Sequence, residues 1–290
     1  MLISVAIVPG SPALVAPLMG SAAHELDDLR HAVDSVVSGA VSDLVAASAD
    51  SLNAELTASR STGMGPAQLV IVGPGPPEEF NAAGPVSFGS FGRDFVVPAL
   101  LEGSADDRGN KGNAVRSPNS DDRSGGAGAN RELPTPLMVA RHLASRDVAT
   151  HPEHADLWAS ARWITTSGPD ATSLGNMLRD VGEPVAMILI ADGATCHGPK
   201  APRAEDSRAP AYEDAVCEAL ASGQPGQLAR SDAELGRELG ATGPQVWPVL
   251  LAAAEGNWTG ELVWRGSQLG VGWAVAAWRR PSAKGAAADA

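Results

Sequence analysis

Two rhythms of apolar residues run along the chain. Short runs rich in Val, Ile and Leu are bounded by Gly and Pro, and longer stretches repeat apolar residues every three or four positions. The strongest run is Val185–Ala191, inside the segment EPVAMILIADGATCHGPKAP at residues 183–202. A run of that length closed by turn residues predicts a strand buried on both faces. It breaks into a loop bearing Gly, Cys and His, and in open α/β sheets such loops at the carboxyl ends of strands form the ligand crevice.

Leu2–Val8, ended by Pro9-Gly10, predicts a first strand. Leu69–Val72 predicts a second, and Gly73-Pro74-Gly75-Pro76-Pro77 after it reads as a turn or loop because prolines donate nothing to a ladder. Between them, Leu26, Leu29, Val33, Val36, Val37, Val41 and Leu44 recur at helical spacing, predicting a helix from Ala22 to about Ala47. Ser21 is its expected cap, Glu25 lies in its first turns, and His24 and His31 fall on its solvated side. Strand, helix and strand at this spacing predict a parallel pair joined by a right-handed crossover.

Ser87–Val97 predicts a strand or loop edge, Pro136–Ser145 the start of a helix, and Trp163–Ser167 a strand. Asp170 is the expected cap of a helix through Leu178. Helices follow at Tyr212–Ser222, Asp232–Leu239 with Gly240 behind it, and Gln245–Ala254 with Pro248 near its first turn. Glu261–Trp264 and Gly270–Trp278 predict an antiparallel hairpin through Arg265-Gly266-Ser267. The pattern predicts one α/β domain over residues 1–280, with a central mostly parallel or mixed sheet flanked by helices and a C-terminal antiparallel hairpin. Residues 103–131, rich in Gly, Ser, Asn and charge, predict a disordered insertion within that domain, and 281–290 a frayed tail.

Charge and cysteine usage narrow the functional classes. The 290 residues carry 34 acidic and 21 basic side chains, a net charge of −13. That balance argues against nucleic acid and anionic membranes as partners. Two cysteines, Cys196 and Cys217, make no disulfide framework and suit a reducing cytoplasm. The N-terminal apolar run lacks a basic start and is interrupted by Pro9, Gly10 and Pro12, so it reads as a strand and not as a secretory signal. A small-molecule ligand is the expected partner, and homo-oligomerisation stays open.

The chemistry-bearing residues concentrate after the central strand. His197 is the expected acid/base, with Asp192 as a carboxylate orienter and Lys200 as a further candidate, while Cys196 reads as a small semi-buried thiol. Thr195, with Pro9, Gly10, Ser11, Gly73 and Gly75 of the earlier loops, is expected to line the crevice. His151 and His154 form a pair of helical spacing, usually solvated and short of the three or four ligands zinc takes. Neither phosphate-binding glycine pattern is present, and no nucleophile elbow. The seven tryptophans read as packing residues.

Several motifs, in order, resemble the catalytic-subunit fold of the class III extradiol ring-cleavage dioxygenases and their Memo-like relatives. Val8-Pro9-Gly10-Ser11-Pro12 stands where that family has a Pro-His-Pro-Pro-like loop, and Val72-Gly73-Pro74-Gly75 where it has Pro-His-Gly. Ala191-Asp192-Gly193-Ala194-Thr195-Cys196-His197 is similar to its Ser-Gly-Asp-Leu-Ser-His motif. Lys200-Ala201-Pro202, Tyr212-Glu213-Asp214 and the closing Leu269-Gly270-Val271-Gly272-Trp273 follow in the family's order.

The resemblance implies an Fe(II) site of two histidines and one carboxylate. Here the two histidine positions carry Gly10 and Gly75, so no iron and no other cofactor is expected, and no metal ligand is assigned. The family's carboxylate position has only Glu255 and Glu261 as candidates, whereas His197 matches its acid/base histidine. Three readings follow. The protein keeps fold and crevice as a binding or scaffolding protein; or it is an enzyme of another type using His197, Asp192 and Lys200; or its metal site is rebuilt from His142, His151 or His154.

Overall fold

The computed structural model describes residues 1–58, 66–100 and 132–281; the insertion expected from the sequence, and the expected tail after residue 281, lie outside them. In chain order the elements are β1 (Leu2–Val8), α1 (Ala16–Met19), α2 (Asp27–Ala58), β2 (Gln68–Pro74), β3 (Glu78–Phe80), β4 (Val86–Ser87) and β5 (Val96–Val97). Then come α3 (Thr135–Thr150), α4 (Ala155–Ala159), β6 (Arg162–Thr166), α5 (Gly168–Asp180), β7 (Val185–Ile190) and α6 (Ala209–Ser222). The last are α7 (Pro225–Leu228), α8 (Ala233–Glu238), α9 (Gly243–Ala253), β8 (Thr259–Gly266) and β9 (Trp273–Arg279).

The fold is α/β, with a mixed seven-stranded sheet in the order β3-β6-β2-β7-β1-β9-β8 and a separate β4-β5 pair. β6, β2, β7 and β1 run parallel, β3 and β9 pair antiparallel to them, and β8 completes the C-terminal antiparallel pair with β9. β7 is the middle of the sheet and all six of its residues are buried. Val185 sits opposite both Leu2 and Gln68, so β1 and β2 flank β7 and do not pair with each other. The two strands of the expected parallel pair do run parallel, with a third strand, distant in sequence, between them.

Alternate strand residues face two separate cores. Ala6, Val8, Ile71, Ile188 and Ile190 pack with the helices α2, α3 and α4. Val5, Ile7, Val70, Val72, Met187 and Leu189 pack with α5, α6 and α9. Each large apolar side chain so enclosed contributes roughly 1.5–3 kcal/mol.

The helix α2 carries its predicted apolar stripe inward and leaves His24 and His31 exposed beside it. It starts later than its pattern suggested: residues 20–26 form a 3₁₀ turn, and Asp27 and Asp28 occupy the first turn in place of Ser21 and Glu25. The span 16–50 is long and apolar enough to cross a bilayer by length and composition. Its apolar residues Leu26, Leu29, Val33, Val37, Val41 and Leu44 are nevertheless enclosed against the sheet.

Two boundaries differ for identifiable reasons, and one proline falls deeper in its helix than expected. β2 runs on through Gly73 and Pro74, opposite Thr165 and Thr166 of β6, because a proline at the end of a strand needs no donor there. The helix α5 starts at Gly168-Pro169, with proline in its first turn and Asp170 just inside. Pro248 lies inside α9.

Candidate functional site

The loop leaving β7 is tied down on three sides. Asp192 accepts from the Thr242 amide (2.9 Å) through its carbonyl, and its amide donates to Thr242 Oγ1 (2.8 Å). The Gly193 amide donates to Gly272 (2.8 Å), and the His197 amide to Gly270 (3.0 Å). The loop thus bridges the start of β9 and the turn before α9, and it holds Asp192, Glu213 and His197 in one region.

Asp192 keeps some exposed surface, but protein atoms crowd its carboxyl group. Burial pushes it up to about 6, opposed by the Gly10 amide, which donates to Oδ1 at 3.2 Å. The Trp273 indole also favours the Asp192 charge, although its nitrogen is not aligned for a hydrogen bond.

Glu213, near the start of α6, is the acid beside the histidine. Its Oε1 accepts from the Ala194 amide at 2.5 Å and stands 3.9 Å from His197 Nε2. Both side chains are nearly enclosed, at 12 and 9 % exposure. Burial raises the Glu213 carboxyl to about 7; the Ala194 amide and Arg265 pull the other way, and Asp192 and Asp214 add to the rise. Burial also lowers the His197 imidazole.

His197, Glu213, Asp214, Arg265, Ser267 and Trp273 line a cavity of about 260 Å³. Arg265 donates to Asp214 at 2.5 Å at its rim. His197 Nε2 is buried and has no hydrogen-bond partner among the described residues. A buried polar atom left unpaired costs about 1–3 kcal/mol, so a group supplied by a ligand would be rewarded there.

The other expected site residues divide. Pro9 and Gly10 are buried at the end of β1, and Ser11 caps the following 3₁₀ turn, accepting from the Ala13 amide at 3.3 Å. A Cβ on Gly10 would meet Ile190 Cγ2 at 2.7 Å and Pro136 at 3.3 Å; one on Gly73 would meet Leu137 at 3.4 Å and Pro136 at 3.5 Å. These two glycines therefore converge on one apolar plug made by β7 and the start of α3. Gly75 faces Thr165 instead, 3.2 Å from where its Cβ would be.

Thr195 turns toward α8, its hydroxyl donating to the Leu239 carbonyl at 3.3 Å. Lys200 is exposed and does not line the cavity. Cys196 is buried and donates to Leu239 at 3.5 Å, and burial raises its thiol, as an inert cysteine requires.

The iron site implied by the resemblance does not fit these residues. Neither Gly10 nor Gly75 has a side chain to coordinate with, and the space beside Gly10 and Gly73 is filled by Ile190, Pro136 and Leu137. Glu255 and Glu261 are exposed and lie near Arg179 and Arg279 respectively, away from this region. His142 is buried against Phe95, and desolvation lowers its imidazole to about 4. Sequence reasoning placed Asp192 beside His197; the folded chain puts Glu213 there. Its signal was present in Tyr212-Glu213-Asp214, which the motif order had already marked.

No family model matches the chain, and no curated protein matches it in sequence.

Proposed function

We propose that this chain is a divergent relative of the extradiol-dioxygenase group that has given up the iron site and binds a small molecule in the His197 cavity. The observation that supports this most is the buried, unpartnered His197 Nε2 facing Glu213 beside a cavity of about 260 Å³. Ligand pockets combine enclosing walls with a few convergent polar groups. Trp273 supplies an apolar wall, while His197, Ser267 and Arg265 supply polar groups of different kinds. A compact ligand with a ring and a hydroxyl or carboxylate matches that set.

A second reading has its own support. Glu213, raised to about 7, is divided between its acid and carboxylate forms near neutrality, the condition for giving and taking a proton. With His197 at 3.9 Å, the pair could move a proton on the bound molecule.

A library of small aromatic and hydroxy acids, screened by ligand-observed NMR, tests both. Binding that weakens at least tenfold in His197→Ala supports the pocket. Hits that bind His197→Ala and Arg265→Ala as well as the unaltered protein overturn it. Turnover of a hit that disappears in Glu213→Gln while binding persists selects the enzymatic reading.

A further inference from the structure

A second cluster of chemistry-bearing side chains lies at the far end of α3. Leu137 plugs the crevice, and Asp147 is ten residues further along the helix, about 15 Å away at the rise of an α-helix. The chain leaves α3 at His151 and makes a 3₁₀ turn over Pro152–His154. This turn replaces the continuous helix that the His151–His154 spacing suggested, and it buries His154 to 2 % exposure where a solvated pair was expected.

Asp147 is itself buried and is the hub. Oδ1 accepts from Ser38 at 2.5 Å and lies 3.3 Å from His151 Nδ1; Oδ2 accepts from Trp158 Nε1 at 2.7 Å and lies 2.8 Å from His154 Nδ1. The two imidazoles stack with ring centres 4.9 Å apart. One ligand atom from each of Asp147, His151 and His154 falls within 4.8 Å of the others. Asp147 and His151 also line a cavity of about 540 Å³.

We propose that Asp147, His151 and His154 form a binding site for a divalent transition-metal ion of the zinc type, with an open position toward this cavity. Two imidazoles and a carboxylate are the donor set such ions take, and three protein ligands leave a fourth position for water or another small ligand. Ligand atoms on a tetrahedral zinc stand about 3.4 Å apart given bonds of about 2.0–2.2 Å. Both imidazoles already stand inside that spacing from Asp147, at 2.8 and 3.3 Å, and what remains is for the His151 ring, whose side chain is 39 % exposed, to rotate toward His154, the three ligand atoms now lying within 4.8 Å of one another.

The surroundings favour a cation. The carbonyl end of α3 points its partial negative charge here. Arg146, which lines the same cavity, is held by Asp34, with Nε donating to Oδ1 at 3.1 Å. Ser38 and Trp158 keep the carboxylate oriented when the imidazoles turn from hydrogen-bond donors into ligands; each Nδ1 then gives up the proton it donates to Asp147, and the neutral ring passes to the tautomer protonated on Nε2 with no net proton lost. For His154 that proton points at Ser42 Oγ, 3.4 Å away. Supporting groups of this kind fix the tautomer and orientation of metal-bound histidines.

The test uses the full chain, stripped with chelator, dialysed and titrated with Co²⁺ and then Zn²⁺. The expected result is visible d–d absorption saturating at one equivalent, displaced by Zn²⁺, with paramagnetic broadening of the His151 and His154 ring signals. His151→Ala, an exposed and foldable change, should weaken Co²⁺ binding at least tenfold, and His154→Gln likewise. His197→Ala should bind as the unaltered protein does. Absence of d–d bands in excess Co²⁺, or unchanged affinity in His151→Ala, overturns the proposal.

Discussion

The Glu213 carboxylate occupies the volume that a side chain at Gly193 would need: a Cβ built on Gly193 would overlap Glu213 Oε1. Gly272, across the loop, leaves the same carboxylate its room from the other side. Two backbones without side chains therefore wall in an acid that the Ala194 amide then anchors at 2.5 Å.

This relationship predicts a coupled pair of substitutions. Gly193→Ala should destabilise the fold by about 1–3 kcal/mol, the usual cost of overpacking. In a Glu213→Ala background the same change should cost less, because the overlapping atoms are gone. Denaturant unfolding of the four variants gives the coupling, expected to exceed about 0.5 kcal/mol. Strict additivity would show that Glu213 does not fill this space.

The raised carboxyl groups make stability depend on pH in a stated direction. The unfolded chain ionises a glutamate at about 4.3, whereas burial holds Glu213 near 7 and Asp192 near 6. Between those limits the folded protein keeps protons that the unfolded chain has released, so stability falls as pH rises from about 4.5 to 7 and then levels. The Glu213 contribution to that fall is on the order of 3 kcal/mol. Glu213→Gln, which stays neutral, should flatten the profile and gain more at pH 8 than at pH 5. A pH-independent effect of this substitution, measured by urea unfolding, would contradict the assignment.

Packing around Gly10 predicts how hard it is to put a side chain back. A Cβ there meets Ile190 Cγ2 at 2.7 Å, inside the core, so Gly10→Ala should cost about 1–3 kcal/mol. Ile190→Leu removes that β-methyl and should relieve part of the cost, read as a higher unfolding midpoint for the double variant than additivity allows. Gly10→His faces the same obstacle with a larger ring. Restoring a histidine at this position therefore requires repacking Ile190 and Pro136 as well.

Local pattern along the chain is enough to define its strands and helices. A fully apolar run such as Val185–Ile190 can only be satisfied between two layers, and the spacing of Leu29, Val33 and Val37 can only be satisfied by a helix with one buried stripe. Both hold whatever the neighbours are. It also located the His197 loop, because a turn after a buried strand needs no partner to be recognised.

Adjacency between segments distant in sequence emerges only in the folded chain. β7 stands between β1 and β2, Glu213 and not Asp192 meets His197, and Thr195 turns away to Leu239. The plug at Gly10 and the Asp147 hub follow the same rule: each joins side chains from α3 to others far from it in the chain, Ile190 in one case and Ser38 in the other. Pattern along a chain encodes which face is apolar; distance across the chain is set by how the layers close on one another, and no single segment carries that information.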